Sequence, residues 1–211
     1  MLEQPRPVVN EPMSMEKSMI TDLTNPVSMV TFTAVDFETT GLYSATDRIV
    51  EFGAVRFKGT QVVETFHRLA NPGIPMSPGA ASICGISDAD LIGAPLVADV
   101  VPEFLRFIGN SVLIAHNAPF DLGFLRTAVL SAGIVEVANS VIDTQELAIR
   151  AFPKRKSYGL QNLALELALP LNRAHRALDD ATLCMRLFHR CVEELSFMGE
   201  MELGELLTGL R

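Results

Sequence analysis

The pattern of hydrophobic and polar positions predicts strands in the first third of the chain. An apolar, β-branched run predicts a buried strand over residues 30–37. Two further runs, over 48–57 and 61–69, flank a short glycine-containing turn and predict a β-hairpin. Short apolar runs over 112–115 and 141–142 predict two more strands later in the chain.

Apolar side chains repeating every three to four residues predict helices between and after these strands. The predicted helices cover 80–84, 96–108, a segment that begins at Asn117, 144–152, 160–168 and 177–195. Pro102 is compatible only with a first helical turn, so the helix containing it should begin late. An antiparallel hairpin followed by alternating helices and strands predicts an α/β fold, with a mixed sheet covered by helices on both faces.

The two ends of the chain differ from its middle. Residues 1–28 contain four prolines and little periodicity, and we interpret them as a flexible leader. Residues 197–211 are interpreted as an acidic C-terminal tail. The sequence therefore predicts one folded domain over residues 29–196, which is long enough to bury a full core.

Composition narrows the function classes. The chain has 25 acidic and 17 basic residues and a net charge of −8, which argues against broad, non-specific adhesion to nucleic acid. The three cysteines have no metal-ligand spacing and imply no disulfide framework. No apolar run is long enough for a membrane span and the N-terminus lacks a signal peptide, so we expect a cytoplasmic protein without a membrane partner.

Candidate chemistry begins at the end of the first strand. Alternation along a strand places Asp36 and Glu38 on the same face. Two like charges held side by side in a core are unfavourable unless a cation lies between them, and carboxylate oxygens are suitable ligands for a divalent metal. For these residues alone, a strand end with solvated acids is the favoured interpretation. Acids elsewhere in the chain must decide between it and a metal site.

Three later residues can join this pair. Asp121 lies one turn into the helix after strand 112–115, and reaches the same end of the sheet as Glu38 if the two strands are parallel. Asp180 begins an apolar helical stripe, where a carboxylate needs a partner. His175 precedes Asp180 by five residues and fits a loop that leads into this helix. Four acids and a histidine from separate segments are hard to explain as accidents of packing.

Three motifs carry a family resemblance. They are Asp36-Phe37-Glu38-Thr39-Thr40-Gly41, His116-Asn117-Ala118-Pro119-Phe120-Asp121 and His175-Arg176-Ala177-Leu178-Asp179-Asp180-Ala181. In this order and spacing they resemble the exonuclease motifs of the DEDDh family of 3′–5′ exonucleases, and most closely its epsilon-like proofreading branch. The resemblance extends from about residue 29 to 195 and implies a ribonuclease H-like fold.

The resemblance also implies roles for individual residues. Four acids would hold two Mg²⁺ or Mn²⁺ ions, with Asp36 bridging them: Asp36, Glu38, Asp121 and Asp180. His175 would be the general base that takes a proton from the attacking water. Five residues would bind or border the terminal nucleotide: Thr40, Gly41, Leu42, Asn117 and Phe120.

The function implied is removal of 5′-mononucleotides from a 3′ end, with a single-stranded or frayed DNA end as the favoured substrate. Proofreading beside a polymerase and free-standing repair both remain open, and a polymerase or a second copy of the chain is the expected protein partner. An RNA-trimming 3′–5′ exoribonuclease is the first alternative. A catalytically dead nucleic-acid-binding module is the second, and loss of a metal-binding carboxylate would be its signature.

Two further features leave alternatives open. Cys84 occupies the place where epsilon-like members commonly carry a substrate-contacting histidine, and it is either a weakened substrate contact or a small core residue. The basic run Lys154-Arg155-Lys156 either guides the phosphate backbone toward the acidic site or is a solvated loop.

Overall fold

A single mixed sheet forms the centre of the computed structural model, which describes residues 22–135, 137–171 and 173–207. The five strands are β1 (Thr31–Thr39), β2 (Ile49–Lys58), β3 (Gln61–Leu69), β4 (Val112–Ala115) and β5 (Val141–Asp143). Their order across the sheet is β3-β2-β1-β4-β5. β1 pairs antiparallel with β2 and parallel with β4, so the central strand joins the hairpin to the parallel half.

Seven helices lie within the described residues: the first six follow the predicted order, and the seventh lies in the stretch expected to be a tail. They are α1 (Pro78–Cys84), α2 (Val97–Ile108), α3 (Ala118–Ser131), α4 (Thr144–Ala151), α5 (Leu160–Glu166), α6 (Ala177–Leu195) and α7 (Leu203–Leu207). Three short 3-10 segments cover Val27–Met29, Asp88–Leu91 and Ser196–Met198. The mixed α/β sheet with its antiparallel hairpin and helices on both faces is confirmed.

The side chains of β1 alternate between two cores. Phe32 and Ala34 face α6 and pack with Phe188, whereas Val35 and Phe37 face α2 and α3. This alternation is the period of two that an extended strand imposes. It places Asp36 and Glu38 on the α6 face, where the buried stripe of that helix meets the sheet.

The predicted late start of the helix containing Pro102 is wrong. α2 begins at Val97, so Pro102 lies inside the helix and cannot donate a backbone hydrogen bond. Val100, Val101 and Phe104 are buried against the sheet. Burial contributes about 1.5–3 kcal/mol for each such side chain, which outweighs the roughly 3 kcal/mol cost of the proline.

The two ends of the described chain pack against each other. The amide of Val27 donates to the carbonyl of Met201 at 2.9 Å, and the amide of Leu203 donates to the carbonyl of Asn25 at 2.9 Å. Val27 and Leu203 are buried in the core that contains α6. The folded unit therefore extends past the expected limits of 29 and 196, while residues 1–21 of the expected leader and 208–211 of the expected tail lie outside the described residues.

Candidate active site

The acids predicted to converge do so at one end of β1. Asp36 and Glu38 are on that strand, and Asp180 enters the same space from the first turn of α6. The parallel pairing of β1 with β4 brings the first turn of α3 alongside, where the Oδ1 atom of Asp121 accepts a hydrogen bond from the amide of Phe37 at 3.2 Å. The expected parallel arrangement of these two strands is thus confirmed.

His175 lies on the open side of these acids. One ligand atom from each of Glu38, His175 and Asp180 lies within 4.8 Å of the others. His175 is exposed and has a left-handed backbone with φ of 58°, on the short segment that precedes α6. Its amide donates to the Oδ2 atom of Asp180 at 2.7 Å, so the segment and the acid hold each other in place.

The second oxygen of Asp180 has a partner that the sequence did not indicate. The Nε2 atom of Gln161, on α5, donates to the Oδ1 atom of Asp180 at 2.7 Å. The two residues are 19 positions apart on different helices, so no spacing rule connects them. Gln161 fixes the orientation of this carboxylate.

Burial and mutual repulsion act on the carboxylates. Burial is the main cause that raises the pKa of Asp36 well above its ordinary value, and the nearby charges of Asp121, Asp180 and Glu38 raise it further. Burial raises the pKa of Asp121 to about 8 and that of Glu38 to about 7. Burial also raises the pKa of Asp180, against hydrogen bonding from the His175 amide. The ionised forms of these acids are therefore costly unless a cation is present.

An apolar cleft opens from the acids. Its volume is about 580 Å³, with Asp36, Glu38 and His175 at one end. Leu42, Ile83 and Phe120 contribute apolar surface, and Leu42 is 72% exposed. The acids therefore lie at one end of a cleft whose walls are largely apolar.

The loop that carries Leu42 is held by Asp47. The Oγ1 atom of Thr40 donates to Asp47 Oδ1 at 3.0 Å, and the amide of Tyr43 donates to Asp47 Oδ2 at 2.9 Å. A Cβ atom at Gly41 would lie 2.6 Å from this carboxylate, so a larger residue there would displace Asp47 from its bonds to the loop. Thr40 is buried and organises the loop, whereas Gly41 and Leu42 line the cleft.

The two remaining residues predicted to contact the nucleotide, Phe120 and Asn117, differ in their position relative to the cleft. Phe120 lines the cleft, whereas Asn117 is not among its lining residues. Asn117 occupies the N-cap position of α3 with φ of 63°, and its side chain makes no capping hydrogen bond. Asp143 caps the helix instead, because its carboxylate accepts from the amides of Asn117 and Ala118 at 3.1 and 3.0 Å.

Cys84 does not reach the cleft. Its side chain is buried with Val50, Met76 and Ile86 in a small separate cluster, and burial raises the pKa of its thiol. This favours the core-residue interpretation over the substrate contact.

The predicted basic run lies on an exposed loop between α4 and α5. Lys154, Arg155 and Lys156 are exposed, and Arg155 pairs with Glu166 at 3.2 Å. The carbonyl of Tyr158 in the same loop accepts a hydrogen bond from His116 Nε2 at 2.8 Å. His116 lines a second cavity of about 280 Å³ together with Asp36 and Asp180, so the loop adjoins the acidic site.

Within the described ranges, every helix falls short of the length and apolar character that crossing a membrane requires.

Comparison with known proteins adds independent observations. A family model described as exonuclease matches residues 33–188. The chain is 42% identical over 161 residues to the DNA polymerase III subunit epsilon of Treponema pallidum, covering 75% of each protein. It is 37% identical over 175 residues to a PolC-type DNA polymerase III of Caldanaerobacter subterraneus subsp. tengcongensis, covering 83% of this chain but only 12% of that protein.

Solved structures give the same result for the fold. Exonuclease X in complex with 5′ overhanging duplex DNA superposes with a TM-score of 0.68 and 26% identity, covering 86% of this chain and 99% of that one. Escherichia coli exonuclease I in complex with a dT13 oligonucleotide gives a TM-score of 0.71 at 19% identity, covering 81% of this chain and 42% of that one. The match to the exonuclease family model spans most of the folded unit and includes every acid of the cleft. The chain therefore belongs to the exonuclease family, as its three motifs predicted.

Proposed function

We propose that this protein is a metal-dependent 3′–5′ exonuclease that removes 5′-mononucleotides from the 3′ end of DNA. The observation that carries the proposal is the convergence of Asp36, Glu38, Asp121, Asp180 and His175 at one end of an apolar cleft. The epsilon relative and the DNA-bound exonuclease X structure support DNA as the substrate. In a proofreading role the protein partner is a DNA polymerase.

The donor set fits divalent metal ions. All four acids offer hard carboxylate oxygens. The raised pKa values of Asp36, Glu38 and Asp121 indicate that the protein alone does not stabilise their ionised forms. Asp36, Glu38, Asp121 and Asp180 would hold two Mg²⁺ or Mn²⁺ ions. When bound, such a pair of ions supplies positive charge for the attacking and leaving oxygens of an in-line phosphoryl displacement.

His175 is the proposed general base. Its exposed ring lies beside Glu38 and Asp180, on the side from which water enters the cleft. Histidine is the side chain best suited to accept a proton near neutral pH. The hydrogen bond from the His175 amide to Asp180 keeps the segment close to the acids, while the ring remains free to take the proton of the attacking water.

The apolar end of the cleft is the proposed nucleotide site. Leu42 and Phe120 offer surface to the terminal base, and the Gly41 backbone lies beside them. Stacking of a base on the Phe120 ring contributes about 1–3 kcal/mol and does not depend on which base is bound. A site with these contacts binds any 3′-terminal nucleotide that can leave a duplex.

The test is a time course with Mn²⁺ on single-stranded DNA and RNA, each labelled at the 3′ or the 5′ end. We expect immediate release of the 3′ label as mononucleotide, stepwise shortening of the 5′-labelled strand, and faster turnover of DNA. Excess EDTA and the Asp36→Ala variant are the negative controls. Full hydrolysis in EDTA, or release of the 5′ label first, would contradict the proposal. Faster turnover of RNA would replace DNA by RNA as the substrate.

A further inference from the structure

A second carboxylate on the α6 face of the sheet has an unusually complete set of partners. Glu51, on β2, is fully buried and lies directly opposite Glu38 in the strand pairing. The guanidinium of Arg176 donates to it through Nε at 3.1 Å and Nη2 at 2.6 Å. The amide of Ala177 donates at 3.1 Å and His67 Nε2 at 2.6 Å.

These bonds fix the entrance to α6. Arg176 is the residue immediately before the helix and Ala177 is its first residue, so one carboxylate of β2 holds both. The partners are separated by 125 and 126 positions in the chain, so the bonds fix the helix start relative to the sheet. Charge-assisted, bidentate bonds of this kind restrict orientation as well as distance.

Gly53 makes the close approach of α6 geometrically possible. A Cβ atom at this position would lie 2.1 Å from the carbonyl carbon of Ala177 and 2.3 Å from the nitrogen of Leu178. The backbone of the first turn of α6 therefore rests directly on β2. Gly53 is paired with Asp36 across the strands, so the contact is made beside the acids.

His175 depends on this anchoring. It is adjacent to Arg176, its backbone is in the left-handed region and its side chain is exposed, so packing does not hold the ring. The position of the ring is set by the segment on either side. On one side the segment is tied to Asp180 through the His175 amide, and on the other it is tied to Glu51 through Arg176.

We propose that Glu51 is a positioning residue for catalysis: through Arg176 it holds His175 at the distance from Glu38 and Asp180 that proton transfer requires. The inference rests on the proposed function, in which His175 is the general base. A buried ion pair contributes little net stability compared with an apolar replacement, so the complete set of donors is better explained by the orientation that it imposes.

The first test compares Glu51→Gln with a matched control, Glu64→Gln. Glu64 lies on the same hairpin and pairs with Arg56, but it is exposed and distant from the cleft. Misplacing a catalytic group by about 1 Å costs about 100-fold in rate. We expect Glu51→Gln to lower kcat by about 10- to 100-fold with KM changed less than about threefold, and Glu64→Gln to change neither.

A double-mutant cycle with His175→Ala separates positioning from general damage. If Glu51 acts through His175, Glu51→Gln lowers kcat no further once the imidazole is absent. An equal fold-loss in the presence and absence of His175 would overturn the proposal, as would wild-type kcat in Glu51→Gln. Arg176→Lys keeps the charge but loses the bidentate geometry, and it gives the same test if Glu51→Gln does not fold.

Amide hydrogen exchange gives a measurement that does not depend on turnover. We expect exchange in residues 174–178 to accelerate at least about tenfold in Glu51→Gln, while the central strands remain protected. Unchanged exchange there would overturn the anchoring. An inactive wild-type protein would contradict the proposed function, and the exchange experiment would still decide whether Glu51 anchors the segment.

Discussion

Glu38 and Glu51 are the same residue type, on adjacent strands, directly opposite each other and on the same face of the sheet. Burial acts on both, yet hydrogen bonds from Arg176, His67 and the Ala177 amide lower the pKa of Glu51 below its usual range. Burial and the charges of Asp180 and Glu51 raise the pKa of Glu38 to about 7, although Arg176 opposes this. The difference is the supply of donors: the fold neutralises Glu51 itself, whereas Glu38 is one of the acids that we propose as metal ligands.

The same criterion sorts the other acids. Asp36 belongs with Glu38, since its pKa is also raised by burial and by neighbouring carboxylates. Asp180 is intermediate, because Gln161 and the His175 amide each donate to one of its oxygens while burial still raises its pKa. Acids whose pKa the protein lowers are structural, and acids whose pKa it raises are candidate metal ligands.

The largest expected effect comes from removing an acid whose pKa is raised. Asp36→Ala should lower kcat by about 10⁴-fold, because charge stabilisation by the metal pair amounts to several kcal/mol. Titration calorimetry with Mn²⁺ should show weakened metal binding, and Glu64→Ala serves as the control. Metal binding and turnover like those of the wild type in the Asp36 variant would remove Asp36 from the metal-binding set.

Removing the proposed base should have a smaller and different effect. His175→Ala should lower kcat by about 10²- to 10³-fold while leaving metal affinity nearly unchanged, because general base catalysis contributes at the chemical step. Steady-state kinetics and Mn²⁺ calorimetry on the same preparation measure both. Loss of metal binding in this variant would make His175 a ligand instead.

The acids whose pKa is raised should also make the metal-free protein sensitive to pH. Glu38 and Asp121 have folded-state pKa values of about 7 and about 8, above the roughly 4 of unfolded chains. The native state therefore retains protons that the unfolded state loses, and stability falls as pH rises between about 4 and 8.

Melting temperatures in EDTA should accordingly fall by at least about 5 °C between pH 5 and pH 8, since two shifts of this size amount to several kcal/mol and 1 kcal/mol corresponds to about 2–4 °C for a chain of this size. Saturating Mg²⁺ or Mn²⁺ should reduce the fall, and Asp121→Asn should do so without metal. A melting temperature that is constant or rises over this range in EDTA would contradict the raised pKa values of these acids.

The smallest expected effect concerns the exposed basic loop. Replacing Lys154, Arg155 and Lys156 together by alanine should raise KM by about threefold to fivefold and flatten its dependence on salt, because fewer phosphate charges are neutralised. Lys58→Ala, at the exposed turn between β2 and β3, is the control. An unchanged KM at low salt would identify the run as a solvated loop.

The sequence predicted those features that follow from local periodicity. The bounds of α6 agree with the prediction at both ends, and the shared face of Asp36 and Glu38 follows from strand alternation. The proximity of Asp121 to these two acids was also predictable, because parallel strands bring their carboxyl ends to the same edge of the sheet.

The features that were missed depend on contacts between distant positions. Gln161 reaches Asp180 from another helix, Asp143 accepts from the amides at the start of α3, and Glu51 holds Arg176 from 125 positions away. Hydrophobic periodicity carries no information about these bonds. They become visible only when the helices are docked on the sheet.

The bridge between Pro26 and Glu202 has a consequence for how the fold can be combined with other sequences. The first and last described segments lie side by side, packed on the core that contains α6 and away from the apolar cleft. A unit whose ends are adjacent can be inserted into a surface loop of a host protein with only a small loop-closure cost, because its strands and helices need not be pulled apart. The fold is therefore suited to insertion into different host proteins as an intact unit.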